Sequence, residues 1–250
     1  MRMHLRHWVF LMTAVTAAAA CVALGFWQLS RLRQRRESNA HIRAQMALPP
    51  LGLAGADLPA GLTAYRRVVA SGTFDSSRQI ILLNRSYNDE PGSHLVTPLL
   101  LTPSGPAILI DRGWIPYQES TTADLSSLDP PGSVQVRGFL AASQPEPGWS
   151  ILADPPSSGE WRRSWRNLNL ERLQAQFPYP LLPVFLAQTD PLTGAGLPRP
   201  DAALDLSEGP HLSYAVQWFS FALTAVIGGG IWLRRQLGDR GETPGGEGDV

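Results

Sequence analysis

The stretch Trp8–Leu29 reads WVFLMTAVTAAAACVALGFWQL and contains no charged residue. About 20 apolar residues at 1.5 Å rise match a hydrocarbon core of roughly 30 Å. Trp8 stands at one end and Phe26-Trp27 at the other, where interfacial aromatic side chains belong. Met1-Arg2-Met3-His4-Leu5-Arg6-His7 precedes the run, and Arg31, Arg33, Arg35 and Arg36 end it. A cleaved signal peptide has the same basic start and apolar centre, and Ala18-Ala19-Ala20-Cys21 loosely resembles a lipidation site. The run continues past Cys21 to Trp27, however, beyond the length of a signal core. It reads as an uncleaved membrane span.

A second apolar run, Leu212–Leu233, lies between Gly209-Pro210-His211 and Arg234-Arg235. Pro210 suits the turn before a helix or its first turn. Ser213, Gln217, Ser220 and Thr224 recur at steps of three or four, so they share one helical face. Polar side chains facing lipid are costly, and that face is expected to pack on another helix or a ligand. Gly228-Gly229-Gly230 allows close helix contact while weakening the helix.

Two spans put both termini on one side. The flanking arginines nearly tie: Arg2, Arg6, Arg234, Arg235 and Arg240 on the terminal side, Arg31, Arg33, Arg35, Arg36 and Arg43 on the other. The expected layout is a cytoplasmic N-terminus (1–7), a span (8–29), a polar helix and linker (30–64), an extracytoplasmic domain (65–190), a return linker (191–210), a span (211–233) and a disordered cytoplasmic tail (234–250).

The chain has 250 residues and a formal net charge of +0, so no global charge points to nucleic acid. Every Lys/Arg-type cation is arginine, which fits a GC-rich genome. The single cysteine excludes an internal disulfide framework and any cysteine-based zinc or iron–sulfur site.

Arg31–Met46 reads as a polar helix leaving the membrane, and Leu48–Leu62 as a linker rich in Pro, Gly and Ala. Arg67–Phe74, Gln79–Leu83, Leu95–Leu101, Ala107–Trp114 and Ser133–Leu140 are β-type runs separated by turn residues, a spacing that favours antiparallel hairpins. Thr121–Gly132 reads as a polar loop, Asn167–Phe177 as a helix, and Leu182–Ala187 as a last strand. The predicted fold is a membrane protein with two transmembrane helices flanking a mainly antiparallel β domain of α+β type.

No nucleophile elbow, phosphate loop, dinucleotide fingerprint or HExxH motif occurs. His94, at a strand start, is expected to be an ordinary surface residue. Asp111-Arg112 is expected to be a structural ion pair at a strand end rather than a catalytic pair. Trp161, Arg162, Arg163, Trp165 and Arg166 form a basic aromatic stretch suited to lipid headgroups or a partner, or to a plain solvated face. His211 opens the second span, and an ionisable residue there is a functional candidate; an interfacial histidine capping the helix is the equal alternative. In a two-helix hairpin, Trp27 and Gln28 share a membrane face with His211, Tyr214, Gln217 and Trp218. His211, Tyr214 or Ala215, and Trp218 are spaced for one helical face. They could form a partly apolar pocket with one imidazole, suited to haem iron and a flat macrocycle. They could equally be a helix-pairing interface with an aromatic belt.

Four stretches, in this order, carry a specific resemblance. They are Gly25-Phe26-Trp27-Gln28-Leu29-Ser30-Arg31-Leu32; Tyr65-Arg66-Arg67-Val68 leading to Gly72-Thr73-Phe74-Asp75; Ile108-Leu109-Ile110-Asp111-Arg112-Gly113-Trp114-Ile115-Pro116; and His211-Leu212-Ser213-Tyr214-Ala215-Val216-Gln217-Trp218-Phe219. Together they resemble the Surfeit locus protein one family, which helps assemble haem–copper cytochrome c oxidase. The resemblance implies a non-enzymatic assembly factor with both termini inside and the domain outside. It implies transient binding of haem a, with His211 as the iron ligand, before delivery to the largest oxidase subunit. Trp27, Gln28, Tyr214, Gln217 and Trp218 are the expected surroundings of the haem. Haem a synthase or other assembly factors, and membrane lipid, are the further partners implied; nucleic acid is not. The alternative is a membrane-anchored scaffold that binds oxidase subunits or assembly factors without haem. No long Arg- and Ser-rich transit peptide precedes the first span, which favours a bacterial inner membrane, with the domain periplasmic, over a mitochondrion.

Overall fold

A computed structural model describes residues 5–55, 59–102, 105–121, 125–145, 154, 161–192, 196–200, 202 and 204–238. In chain order the elements are α1 (Leu5–Ala47), β1 (Leu51–Leu53), β2 (Arg67–Phe74), β3 (Ile80–Tyr87), β4 (Glu90–Leu100), β5 (Ala107–Pro116), α2 (Tyr117–Ser120), β6 (Ser133–Ala142), β7 (Ser164–Trp165), α3 (Leu170–Gln174), β8 (Val184–Gln188) and α4 (His211–Gly238). They divide into a helical unit, 1–40 with 206–250, and a β unit, 41–205.

In the helical unit, α1 runs without a break from the first span into the arginine-rich segment, because Ala, Leu and Arg are all strong helix formers. The helix stops just before Pro49-Pro50, where the residue preceding proline is driven out of the helical region. One line of recessed positions on α1 is Leu11, Ala14, Ala18, Cys21, Gly25, Gln28, Leu32, Arg35 and Asn39, with Leu29 beside it; on α4 it is His211, Ala215, Trp218, Ala222, Ala225, Gly229 and Trp232, with Phe219, Leu233 and Gln236 beside it. Both series alternate steps of three and four, the 3.5-residue period of a coiled-coil seam. Small residues dominate its middle and let the backbones approach closely. A Cβ on Gly25 would sit 2.6 Å from the Phe219 ring, and one on Gly229 would sit 3.9 Å from Ala14 Cβ. Phe10 meets Trp232 and Phe26 meets Phe219, with ring centroids 4.4 and 5.4 Å apart.

The polar face of α4 does not lie on this seam. Ser213, Gln217, Ser220 and Thr224 do not pack against α1; all four are exposed. Ser220 and Thr224 donate to the carbonyls of Val216 and Ser220 on their own helix, and Ser213 donates to that of Pro210. These three hydroxyls are satisfied within α4, so polarity did not mark the face that meets α1. α4 also continues to Gly238, past the expected span end at Leu233. The expected disorder beyond Gly238 lies outside the described residues.

In the β unit, the sheet order is β1-β2-β6-β8-β5-β4-β3-β7, and a further antiparallel pairing joins β2 to β4. Strands β2, β6, β8, β5 and β4 therefore close into a five-strand ring. Gly72 makes the closure possible, since any Cβ there would collide with the Leu100 carbonyl. Val68, Ala70, Leu99, Ile108, Ile110, Val136, Leu140, Val184 and Leu186 fill the ring. The pairings are mixed: β1–β2, β3–β7 and β5–β8 are parallel, and the rest antiparallel. The β3–β4 hairpin turns through Asn88 and Asp89 at φ 49° and 63°, the left-handed pair that a two-residue loop demands.

A second cluster on the outer face packs Leu170, Leu173 and Phe177 against Ile80, Leu82, Val96, Leu109 and Phe185. The Asn169 side chain caps α3 by accepting from Arg172 N at 3.1 Å. A third joins Ile81, Leu95, Ile115 and Leu125. Strands β4 and β5 are thus covered on both faces, and burial runs almost unbroken along each instead of alternating. The expected linker Leu48–Leu62 contributes β1, and the helix expected over Asn167–Phe177 shortens to Leu170–Gln174.

Candidate functional site

His211 is the first residue of α4, placed there by a turn that Gly209 enters at φ +68°. The seam brings it against Gln28 of α1: His211 Nδ1 lies 2.9 Å from Gln28 Oε1. A carbonyl oxygen only accepts, so Nδ1 carries the proton, and in the neutral ring Nε2 keeps its lone pair. Among the described residues Nε2 has no hydrogen-bond partner. A Cβ on Gly209 would lie 3.6–3.7 Å from the Cδ2–Nε2 edge, so any side chain there would begin to cover it. Glycine serves both the backbone angle and the open edge.

The segment entering α4 is clamped to the Arg35–Asn39 stretch of α1. Asn39 donates to the carbonyls of Leu206 and Ser207 at 2.8 and 3.1 Å, Arg35 donates to Ser207 O at 3.1 Å, and Arg36 makes a two-pronged pair with Glu208 at 2.9 and 2.8 Å. Asn39 is almost completely buried, and its amide ties α1 to the backbone that leads into α4. The sequence reading missed these residues. The signal was the three-four spacing that runs through Gln28, Leu32, Arg35 and Asn39.

Of the other expected site residues, Trp27 and Tyr214 are about half exposed, Gln217 is exposed, and Trp218 is half-buried on the seam with its ring edge-on to Phe221. The structure brings Gln28 to His211 and leaves aromatic surface open on both helices.

In the β unit two expectations are corrected. His94 is not a surface residue: it is buried and its Nδ1 lies 3.0 Å from Asp111 Oδ1. Asp111 and Arg112 do not pair with each other, because successive residues of a strand point to opposite faces. Asp111 takes His94 and the Gly113 amide. Arg112, 2% exposed, pairs with Asp129 and donates to Leu128 O at 2.6 Å. Asp129 also accepts from Ser76 and from Gln79. Burial pushes the Arg112 guanidinium below its usual pKa, and Asp129 partly restores it. The loop expected to be merely polar therefore supplies Leu125 to the core and Asp129 to a buried ion pair.

His94, Asp111, Gly113 and Gln188 line a cleft of about 150 Å³. Among the described residues no group of three His, Cys, Asp or Glu could hold a metal ion. In the basic aromatic stretch, Trp165 is buried core, under the guanidiniums of Arg162 and Arg172, and Arg162 pairs with Asp154. Trp161 keeps an exposed edge against Phe177.

Comparison with known proteins covers this whole frame. Relatives include a SURF1-like protein of Rickettsia conorii, 26% identical across 86% of this chain and 88% of its own length. A SURF1-like protein of Monosiga brevicollis is 25% identical across 87% and 84%, and Surfeit locus protein 1 of Homo sapiens is 23% identical across 95% and 79%. The sequence model of the SURF1 family matches residues 15–223, from within the first span to within the second, and the chain belongs to that family.

Proposed function

We propose that this membrane-anchored protein is an assembly factor for haem–copper cytochrome c oxidase. It takes haem a as transient cargo through His211 and aids its insertion into the largest oxidase subunit, working with haem a synthase or other assembly factors. It sits in a bacterial inner membrane with both termini cytoplasmic and the β unit periplasmic, the orientation the family resemblance implies.

The observation that carries this reading is the His211–Gln28 hydrogen bond of 2.9 Å, because it leaves Nε2 as an open ligand atom at a membrane surface. The donor set fits haem: a neutral imidazole suits haem iron, and the exposed rings of Trp27 and Tyr214 suit a flat apolar macrocycle. Gln217 and Trp218 complete the proposed contact set. The protein's own part is to hold the imidazole in place and to offer apolar surface.

The test is the absorption spectrum and extracted haem of the detergent-purified protein, co-expressed with a haem a synthesis pathway, beside His211→Ala. Haem a in the wild type that falls in the variant supports the reading. Well-folded protein without haem in both refutes it and favours a scaffold that binds oxidase subunits without haem. The exposed polar stripe Ser213-Gln217-Ser220-Thr224 on α4 is the observation that favours that second reading.

A further inference from the structure

We propose that Gln28 is the positioning residue of this site: its side-chain carbonyl holds His211 in the Nδ1–H form and keeps Nε2 unprotonated toward the edge that Gly209 leaves open. The proposal deepens the haem-ligand reading of His211 and rests on it for its purpose, although the tautomer itself is measurable without any ligand.

Free histidine prefers its proton on Nε2, which would blind the atom that must donate. The proton has to be moved to Nδ1, and an acceptor there does so at no cost in charge. Gln28 is suited to this. It lies on the α1 seam, half-buried and facing α4, so its amide is held in position by the helix pair rather than waving in solvent. Ligating histidines are generally fixed in this way through their other ring nitrogen, and loss of the outer partner typically costs 10–100-fold in affinity.

The seam makes the contact depend on register. Asn39 holds the chain four to five residues before His211, so the imidazole meets α1 at Gln28 and not a turn away. Gly209 then limits what can approach the ring from the preceding turn.

The experiment uses full-length protein in detergent with 15N-labelled histidine, at mildly alkaline pH. His211 is assigned by loss of its signals in His211→Ala. The wild type should show a protonated Nδ1 and a pyridine-like Nε2. Gln28→Leu should revert His211 to Nε2–H, and Gln28→Glu, which keeps an acceptor, should retain Nδ1–H. With haemin as the probe, Gln28→Leu should bind about 10–100-fold more weakly and Gln28→Glu should recover most of that loss. An Nε2–H wild type, or a Gln28→Leu protein that keeps Nδ1–H, overturns the proposal. Haemin affinity equal in Gln28→Leu and wild type, with the tautomer switched, overturns the positioning role. Haemin bound equally by wild type and His211→Ala sinks the ligand reading, and a Gln28-dependent tautomer in those same samples still supports the hydrogen bond assigned here.

Discussion

Replacing Arg112 by methionine is expected to be among the most damaging single changes to the β unit. The guanidinium is 2% exposed and pairs with Asp129, itself 5% exposed at the side chain, and lies over the Phe74 ring at 4.8 Å. Methionine fills similar space, so little of the loss is cavity. What remains is a buried carboxylate held, among the described residues, by Ser76 and by Gln79 at 2.9 Å, and such an orphaned charge costs about 3–5 kcal/mol. For a unit spanning 41–205, that corresponds to a fall in Tm of about 6–20 °C. The companion is Arg112→Met with Asp129→Leu, which removes both charges. It should recover at least about 2 kcal/mol relative to the single variant, since desolvation of the pair offsets much of its attraction. Recovery should stop short of the wild type because Gln79 Nε2 and Leu128 O lose partners. The assay is thermal unfolding of the full chain in detergent, followed by near-ultraviolet circular dichroism. A single variant within about 1 kcal/mol of wild type, or a double variant no better than the single, would refute the reasoning.

Three further outcomes follow from the geometry. Tyr179 donates to Asp75 at 2.8 Å, and its burial, followed by that bond, raises the phenol far above its ordinary value of 10.0. The unfolded chain ionises first, so stability present below about pH 10 should decline as pH rises above it; Tyr179→Phe should flatten that decline in urea midpoints taken across the alkaline range. Gly25→Val should loosen the helix pair, because its Cβ would sit 2.6 Å from the Phe219 ring, whereas Gly228→Ala, with open space around it, should be neutral or stabilising by up to about 1 kcal/mol; melting temperatures in detergent distinguish the two. Asn39→Leu should let the Leu206–Glu208 segment exchange its amides faster, whereas Arg36→Ala, an exposed pairing, should change little and become indistinguishable from wild type at high salt; hydrogen exchange by mass spectrometry reads both.

Much of the architecture was legible in the residues. Hydropathy is a local, additive property, so the two spans and the arginines that bound them could be read directly. β-Branched runs and turn residues placed most strands. His211 stood out because an imidazole at the start of an apolar helix has no role in hydrophobic packing.

Other features depend on which distant residues meet, and no local pattern encodes that. The polarity of Ser213, Gln217, Ser220 and Thr224 suggested a packing face, but a lipid-embedded helix packs by close backbone approach, and the small residues around Ala215, Ala222 and Gly229 won. Asp111-Arg112 read as one pair, yet strand geometry sends the two side chains apart, to His94 on one face and Asp129 on the other. Closure of the ring through β2 and β4 rests on two pairs of residues and on a glycine whose missing side chain matters only once the strands meet. The sequence by itself determined the anchors, the β character of the middle and the presence of one ionisable residue at a span mouth, because these follow from composition along the chain. Only the tertiary structure brings the Gln28 amide to His211, because the two lie 183 residues apart on different helices.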